Sequence, residues 1–308
     1  MRHLGEIAAV SAAACWTVSS LAFAYSGRRL RAPILNQVRI VFAVALLSGL
    51  HLLLLGTLVP AAAEADAVLY LAASGVVGLA LGDHCNFHCL SVIGPRYGSL
   101  LMATHPAMSV LLAWPFLGEA PSGGELGGVA LTTAGVALVL LRRRPGAAWR
   151  PEATPRERWV AVGAGLLGAL GQAGGLLLSR SAFLVPSATP LDPLSATWIR
   201  MVAGMTGIFA IALLSRDLVR PRAVLADRPG LGTAALGAVF GPTAGVWLVQ
   251  VAAAHTRAGV ASALSSLTPI LVLPLSRVLY GARITILDVI GTLTVVAGAG
   301  LLFGVLGG

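Results

Sequence analysis

The chain carries its own pattern twice. Sliding the sequence on itself by 163 residues lays 68–138 over 231–301 without a gap. Gly78 then meets Gly241, Gly82 meets Gly245, Pro106 meets Pro269, Gly118 meets Gly281, Gly128 meets Gly291 and Gly135 meets Gly298. With 37 glycines in 308 residues, chance pairs about one glycine over such a stretch, and five pair here. A period this long marks a duplicated domain rather than a solenoid of short repeats.

Both copies are built for lipid. The chain is 57% hydrophobic and 11% charged, whereas about a quarter of a soluble domain is charged. Its apolar runs are continuous rather than alternating, which predicts spanning helices and excludes a β-barrel. Ten spans are expected, at 6–26, 34–55, 67–87, 98–118, 125–141, 159–178, 194–214, 231–253, 258–280 and 287–306. The third and fourth, and the eighth and ninth, are joined by turns short enough to force hairpins. The Arg/Pro-rich linker 142–158 separates five spans (1–141) from five (159–306). An odd number of spans per copy makes the second copy enter from the opposite side. The expected fold is therefore an all-α polytopic membrane protein, with two inverted five-helix repeats around a central cavity.

All 21 basic residues are arginines. On ten spans, three lie on the side of the termini and sixteen on the side of the linker. The positive-inside rule then puts the linker in the cytoplasm and both termini outside, in an inner or cell membrane. A basic chain with no soluble module reads as topology and headgroup binding rather than nucleic-acid binding. Cys15, Cys85 and Cys89 sit inside apolar runs and do not form a disulfide framework.

Arg39 and Arg200 fall at equivalent places inside spans. They read either as snorkelling to headgroups or as a pair of cationic gates or anion ligands near opposite membrane faces. Asp83-His84-Cys85-Asn86-Phe87-His88-Cys89 is the densest polar cluster, and it could form a metal site, a cavity wall or an interface. The other copy reads Val246-Trp247-Leu248-Val249-Gln250-Val251-Ala252 there, which cannot mirror a metal site, so no metal is assigned. Asp83 is the candidate proton carrier. Pro106 and Pro269 predict matched mid-span kinks, which act as hinges or cavity walls, beside His105, Ser265, Ser266 and Thr268. Trp16, Gln172, Trp247 and Gln250 are expected to want a cavity or a partner. Gly78/Gly82 and Gly241/Gly245 form small-residue faces for close helix packing. Glu125 and Asp288 begin equivalent helices and read as structural. The nucleotide-binding, zinc-protease and serine-hydrolase motifs are all lacking, so the chain is expected neither to be an enzyme nor to need a cofactor.

The stretch Gly82-Asp83, Leu90 to Gly94, Ser99 to Pro106 and Leu117-Gly118-Glu119 resembles the EamA domain of the drug/metabolite transporter superfamily. So does Gly241 to Gly245 with His255 to Ser262 and Thr268 to Pro274, although Ala282 stands where glutamate is common in that family. The resemblance implies a ten-helix bundle whose helices 1, 3, 4, 6, 8 and 9 line a cavity. It also implies export or exchange of small metabolites, amino acids or drugs, often proton-coupled. It places both termini in the cytoplasm, against the arginine count followed here. The expected partners are a small-molecule substrate and the bilayer, with a homodimer left open. The competing readings are a membrane-embedded lipid-modifying enzyme and a passive channel.

Overall fold

The computed structural model describes residues 3–60, 63–117, 120–141, 150, 152–187, 190–255, 264–265, 267–281 and 284–302. Gly118, Glu119, Arg142, Arg143, Arg144, the stretch 256–263, Ser266 and Ala282 lie outside the described residues. The described residues are helical, without strands. In the first half, α1 (Leu4–Leu30) and α2 (Ala32–Leu55) are followed by α3 (Ala65–Ser74). The latter runs through a π-helical segment, Gly75–Gly82, into α4 (Asp83–Met102), and α5 (His105–Leu117) and α6 (Gly123–Leu141) follow. In the second half come α7 (Pro155–Phe183), α8 (Pro193–Leu214) and a short α9 (Pro221–Ala226). Then α10 (Arg228–Ala238) runs through a second π-helical segment, Val239–Gly245, into α11 (Val246–His255). The chain closes with α12 (Thr268–Tyr280) and α13 (Ile286–Leu302).

Six helical runs are long and apolar enough to cross a bilayer: Leu4–Leu30, Ala32–Leu55, Ala65–Met102, Pro155–Phe183, Pro193–Leu214 and Arg228–Ala252. Gly123–Val139, Thr268–Leu279 and Ile286–Leu301 are shorter apolar helices. Large apolar side chains cover the outside, with Leu53, Leu214 and Val278 more than four-fifths exposed. Such a surface is unfavourable in water and natural in hydrocarbon. The chain is a multi-pass membrane protein.

Local sequence explains where the helices break. Ala65–Met102 is not one rod. Gly94 has φ 84° and ψ 171°, a conformation that glycine alone adopts without strain, and Pro95 follows. The chain folds back there: a Cβ on Gly98 would lie 2.6 Å from Leu90 Cδ2, a closeness that a continuous helix could not give residues eight apart. The expected hairpin is thus made by a Gly-Pro turn. Its counterpart falls in the stretch 256–263, outside the described residues. The prolines also sit differently from a mid-helix kink. Pro106 and Pro269 lie in the first turns of α5 and α12, after breaks at Ala103–Thr104 and Leu267. A first turn needs no proline N–H, so the ring fits without kinking a helix. Polar side chains bind the carbonyls at the breaks: Thr104 Oγ1 donates to Leu101 O at 2.6 Å, and Thr268 Oγ1 to Ser265 O at 3.0 Å.

The two π-helical segments end at the same 163-residue offset as the glycines and begin within one residue of it, although nothing periodic in the sequence announced them. Each crosses the first helix of the other half. Gly78 and Gly82 approach the backbone of α7 at Gly168, Gly171 and Gly175. Gly241 and Gly245 meet Ser19 and Trp16 of α1. Side chains longer than hydrogen would hold these crossings apart, so the small-residue faces set how closely the halves interlock.

Charge placement at the helix ends is structural, with one addition. Ser122 and Glu125, Thr154 and Glu157, and Thr285 and Asp288 form reciprocal capping boxes that satisfy otherwise open N–H groups. Asp288 also forms a buried ion pair with Arg96 beside the Gly-Pro turn, tying the two halves together. Further along the same connections, Arg29 binds Asp227 at 2.8 Å and Arg31 binds Asp217 at 3.3 Å.

Candidate functional site

A cavity of about 150 Å3 lies between the halves. By that measure a single water needs about 10–15 Å3, so there is room for a small organic molecule. Its wall is largely apolar and draws on α1, α2, the α3–α4 run, the start of α5, α7, α8, the α10–α11 run and α12. Such a wall, with a few convergent polar groups, is the usual form of a small-molecule site.

The polar groups centre on Asp83, the first residue after the π-helical segment. Its Oδ2 accepts from Arg39 Nη2 at 2.6 Å, and its Oδ1 accepts from Gln172 Nε2 at 2.6 Å. Gln172 Nε2 also reaches Gly78 O at 3.1 Å, the carbonyl turned toward α7 at the glycine crossing. Arg39 is fixed from behind. Asn36, one turn earlier on α2, accepts from its Nε at 3.0 Å and its Nη2 at 2.7 Å. Phe87, one turn after Asp83, lays its ring 4.7 Å from the guanidinium carbon and in turn meets Phe23 edge-on at 5.2 Å. Each oxygen of this carboxylate thus has an N–H donor, and one of the two donors is cationic. Cation–π contact and paired donors offset part of the cost of burying Arg39.

Arg200 is the second buried cation. Its side chain passes over Gly78 and Gly175, where an added Cβ would come within 2.8 and 3.1 Å of Nη2. The glycine crossing is thus also the space that admits this guanidinium. Arg200 feels the charge of Asp83 but makes no hydrogen bond or ion pair with any described residue, and its Nε is buried without a partner.

The placement of the expected residues is mixed. Trp16, Arg39, Asp83, His105, Gln172, Arg200, Ser265 and the hinge candidate Pro269 line the cavity. Arg39 and Arg200 are 2% and 3% exposed, so neither snorkels to headgroups. Both line the same cavity, where Arg39 bonds Asp83 directly and Arg200 does not. His84, Trp247, Gln250 and Pro106 are not among the lining residues. His84 is one residue round the helix from Asp83, about 100° away, which turns it off the wall. Trp247 packs against the apolar cluster of α2 and α8. Gln250 is fully buried and donates to Ser179 Oγ of α7 at 3.0 Å. Pro106 is buried behind His105. Periodicity alone did not single out Asn36 and Phe87, although both stand one helical turn from a charged residue. Among the described residues, no three His, Cys, Asp or Glu side chains gather as metal ligands.

The model of the EamA-like transporter family matches residues 3–141 and 159–304. The chain belongs to that family. The two matched stretches are the two halves set by the internal repeat, so this is an EamA-like protein with two tandem domains. No curated protein matches the chain. A solved crystal structure at 18% identity covers the whole of both chains with a TM-score of 0.66, a likeness of fold. As an EamA-like protein the chain is a membrane transporter of the drug/metabolite transporter superfamily.

Proposed function

We propose that the protein is a secondary transporter, working as an exporter of small metabolites, amino acids or drug-like compounds by alternating access. One observation carries the reading: the cavity is walled by both halves, and its ionic cluster takes Arg39 and Asp83 from the first and Gln172 and Arg200 from the second. A rocking of one half against the other must therefore remake the bonds of Asp83. In this reading the bundle has ten spanning helices in two inverted repeats, with the arginine-rich linker in the cytoplasm. Asp83 is the coupling residue. A proton added there would loosen Arg39 and Gln172 together and so release one half from the other. Trp16, His105 and Ser265 shape the pocket, and the breaks before Pro106 and Pro269 are the bending points.

The test is uptake by proteoliposomes holding purified protein. Accumulation of a solute against its gradient, collapsed by an uncoupler and lost in Asp83→Asn, is expected. Flux that only runs downhill and ignores a pH gradient would leave a passive channel instead.

A further inference from the structure

We infer that the cavity binds small organic anions of the carboxylate type, with Arg200 as the group that takes the carboxylate. This inference rests on the transporter reading above and narrows its substrate. Among the described residues three charged side chains line the cavity, two arginines and one aspartate, which leaves one positive charge in excess. The two arginines are not equivalent. Arg39 already has an ion pair with Asp83, bonds from Nε and Nη2 to Asn36, and the Phe87 ring against its guanidinium. Arg200 is 3% exposed, lines the same cavity, and has no hydrogen-bond or ion-pair partner among the described residues.

Inside a membrane protein an uncompensated guanidinium is costly, so its retention points to a partner that arrives from outside. A guanidinium presents a planar fork of donors that matches a carboxylate on two oxygens. Asn86, also on the wall, keeps a buried Oδ1 without a partner and supplies a second polar anchor. Most of the remaining wall surface is apolar, with Trp16, Phe23 and Phe87 among its side chains, and suits the body of the molecule rather than its head. A cationic solute would bring a third positive charge into the same space, and a neutral one would leave Arg200 as it is.

Matched probes test this. Calorimetric titration of the purified full-length protein uses phenylacetate, phenylacetamide and phenethylamine, and then butyrate, butyramide and butylamine. Each set shares a body and changes only the charge. The anion of at least one set is expected to bind about tenfold or more tightly than its amide and amine, with Kd at or below about 1 mM. Arg200→Gln should erase that preference and Arg200→Lys should keep part of it. A preference for amide or amine, an anion preference that survives Arg200→Gln, or no anion binding in either set overturns the inference. Counterflow of the same compounds in proteoliposomes separates the two levels. Carriage of an amine or amide keeps the transporter and removes the anion site, whereas flux of no solute in any assay removes the transporter itself.

Discussion

Replacing Asp83 with asparagine changes one atom's chemistry and should unsettle the whole cluster. The carboxylate accepts from Arg39 on one oxygen and from Gln172 on the other. Asparagine has one oxygen and an NH2, so one of these donors must face another donor. The side chain also loses the only negative charge among the described cavity-lining residues, leaving Arg39 and Arg200 buried together. Breaking a buried pair on one side costs about 3–5 kcal/mol. Arg39 keeps Asn36 and the Phe87 ring, so the lower end, about 3 kcal/mol, is expected. The cation left over should then be worth removing. Arg200→Gln, neutral or stabilising alone, should stabilise the Asp83→Asn background by about 1 kcal/mol more than it stabilises the wild type. Unfolding measured by steric trapping in mixed micelles gives the four corners of that cycle. A loss below about 0.5 kcal/mol for Asp83→Asn, or losses that simply add in the double variant, would refute the electrostatic reasoning.

Other consequences are simpler to check. Gly75→Ala would drive a Cβ into the backbone of α8 at Arg200 O and Gly204 N, and should lower stability by about 1–3 kcal/mol. Gly49→Ala meets nothing within 4 Å and should be neutral or stabilising by up to about 1 kcal/mol in the same unfolding measurement. Removing a capping hydroxyl, as in Thr154→Ala or Thr285→Ala, should cost about 0.5–2 kcal/mol of unfolding free energy. For Asp227, outside the spans, slight burial works upward, but the Gly230 N–H and Arg29 outweigh it and hold the carboxyl below its ordinary value. A depressed carboxyl stabilises fully above its unfolded value near pH 4, and that contribution fades as pH falls through the lower folded value. Asp227→Asn should therefore lower thermal stability at neutral pH and flatten the acid limb of the profile. An unchanged acid limb would show that the pair with Arg29 is not formed.

Much of the architecture was legible because it rests on features a linear pattern can carry. Apolar run length predicts spans, and paired glycines mark where helices must approach closely, as Gly78 and Gly82 do against α7. The interior was less legible. Arg39 and Arg200 stand at matched positions, and linear symmetry assigned them to opposite faces. Both side chains line one cavity: Arg39 bonds Asp83 directly, and Gly78 and Gly175 leave room for the Arg200 guanidinium. Trp247 and Gln250 were read from polarity alone, which does not tell a cavity from a helix–helix contact. The breaks before Pro106 and Pro269 were expected as kinks, because a sequence shows a proline but not whether a helix restarts there.

The most direct test of alternating access is the exposure of a single cysteine at position 19, on the cavity wall. In a protein with Cys15, Cys85 and Cys89 replaced by alanine, Ser19→Cys should react with a membrane-impermeant maleimide added to either side of the vesicle. A solute that the protein transports should protect it from both. Labelling from one side only, whatever the solute or pH gradient, would contradict the account.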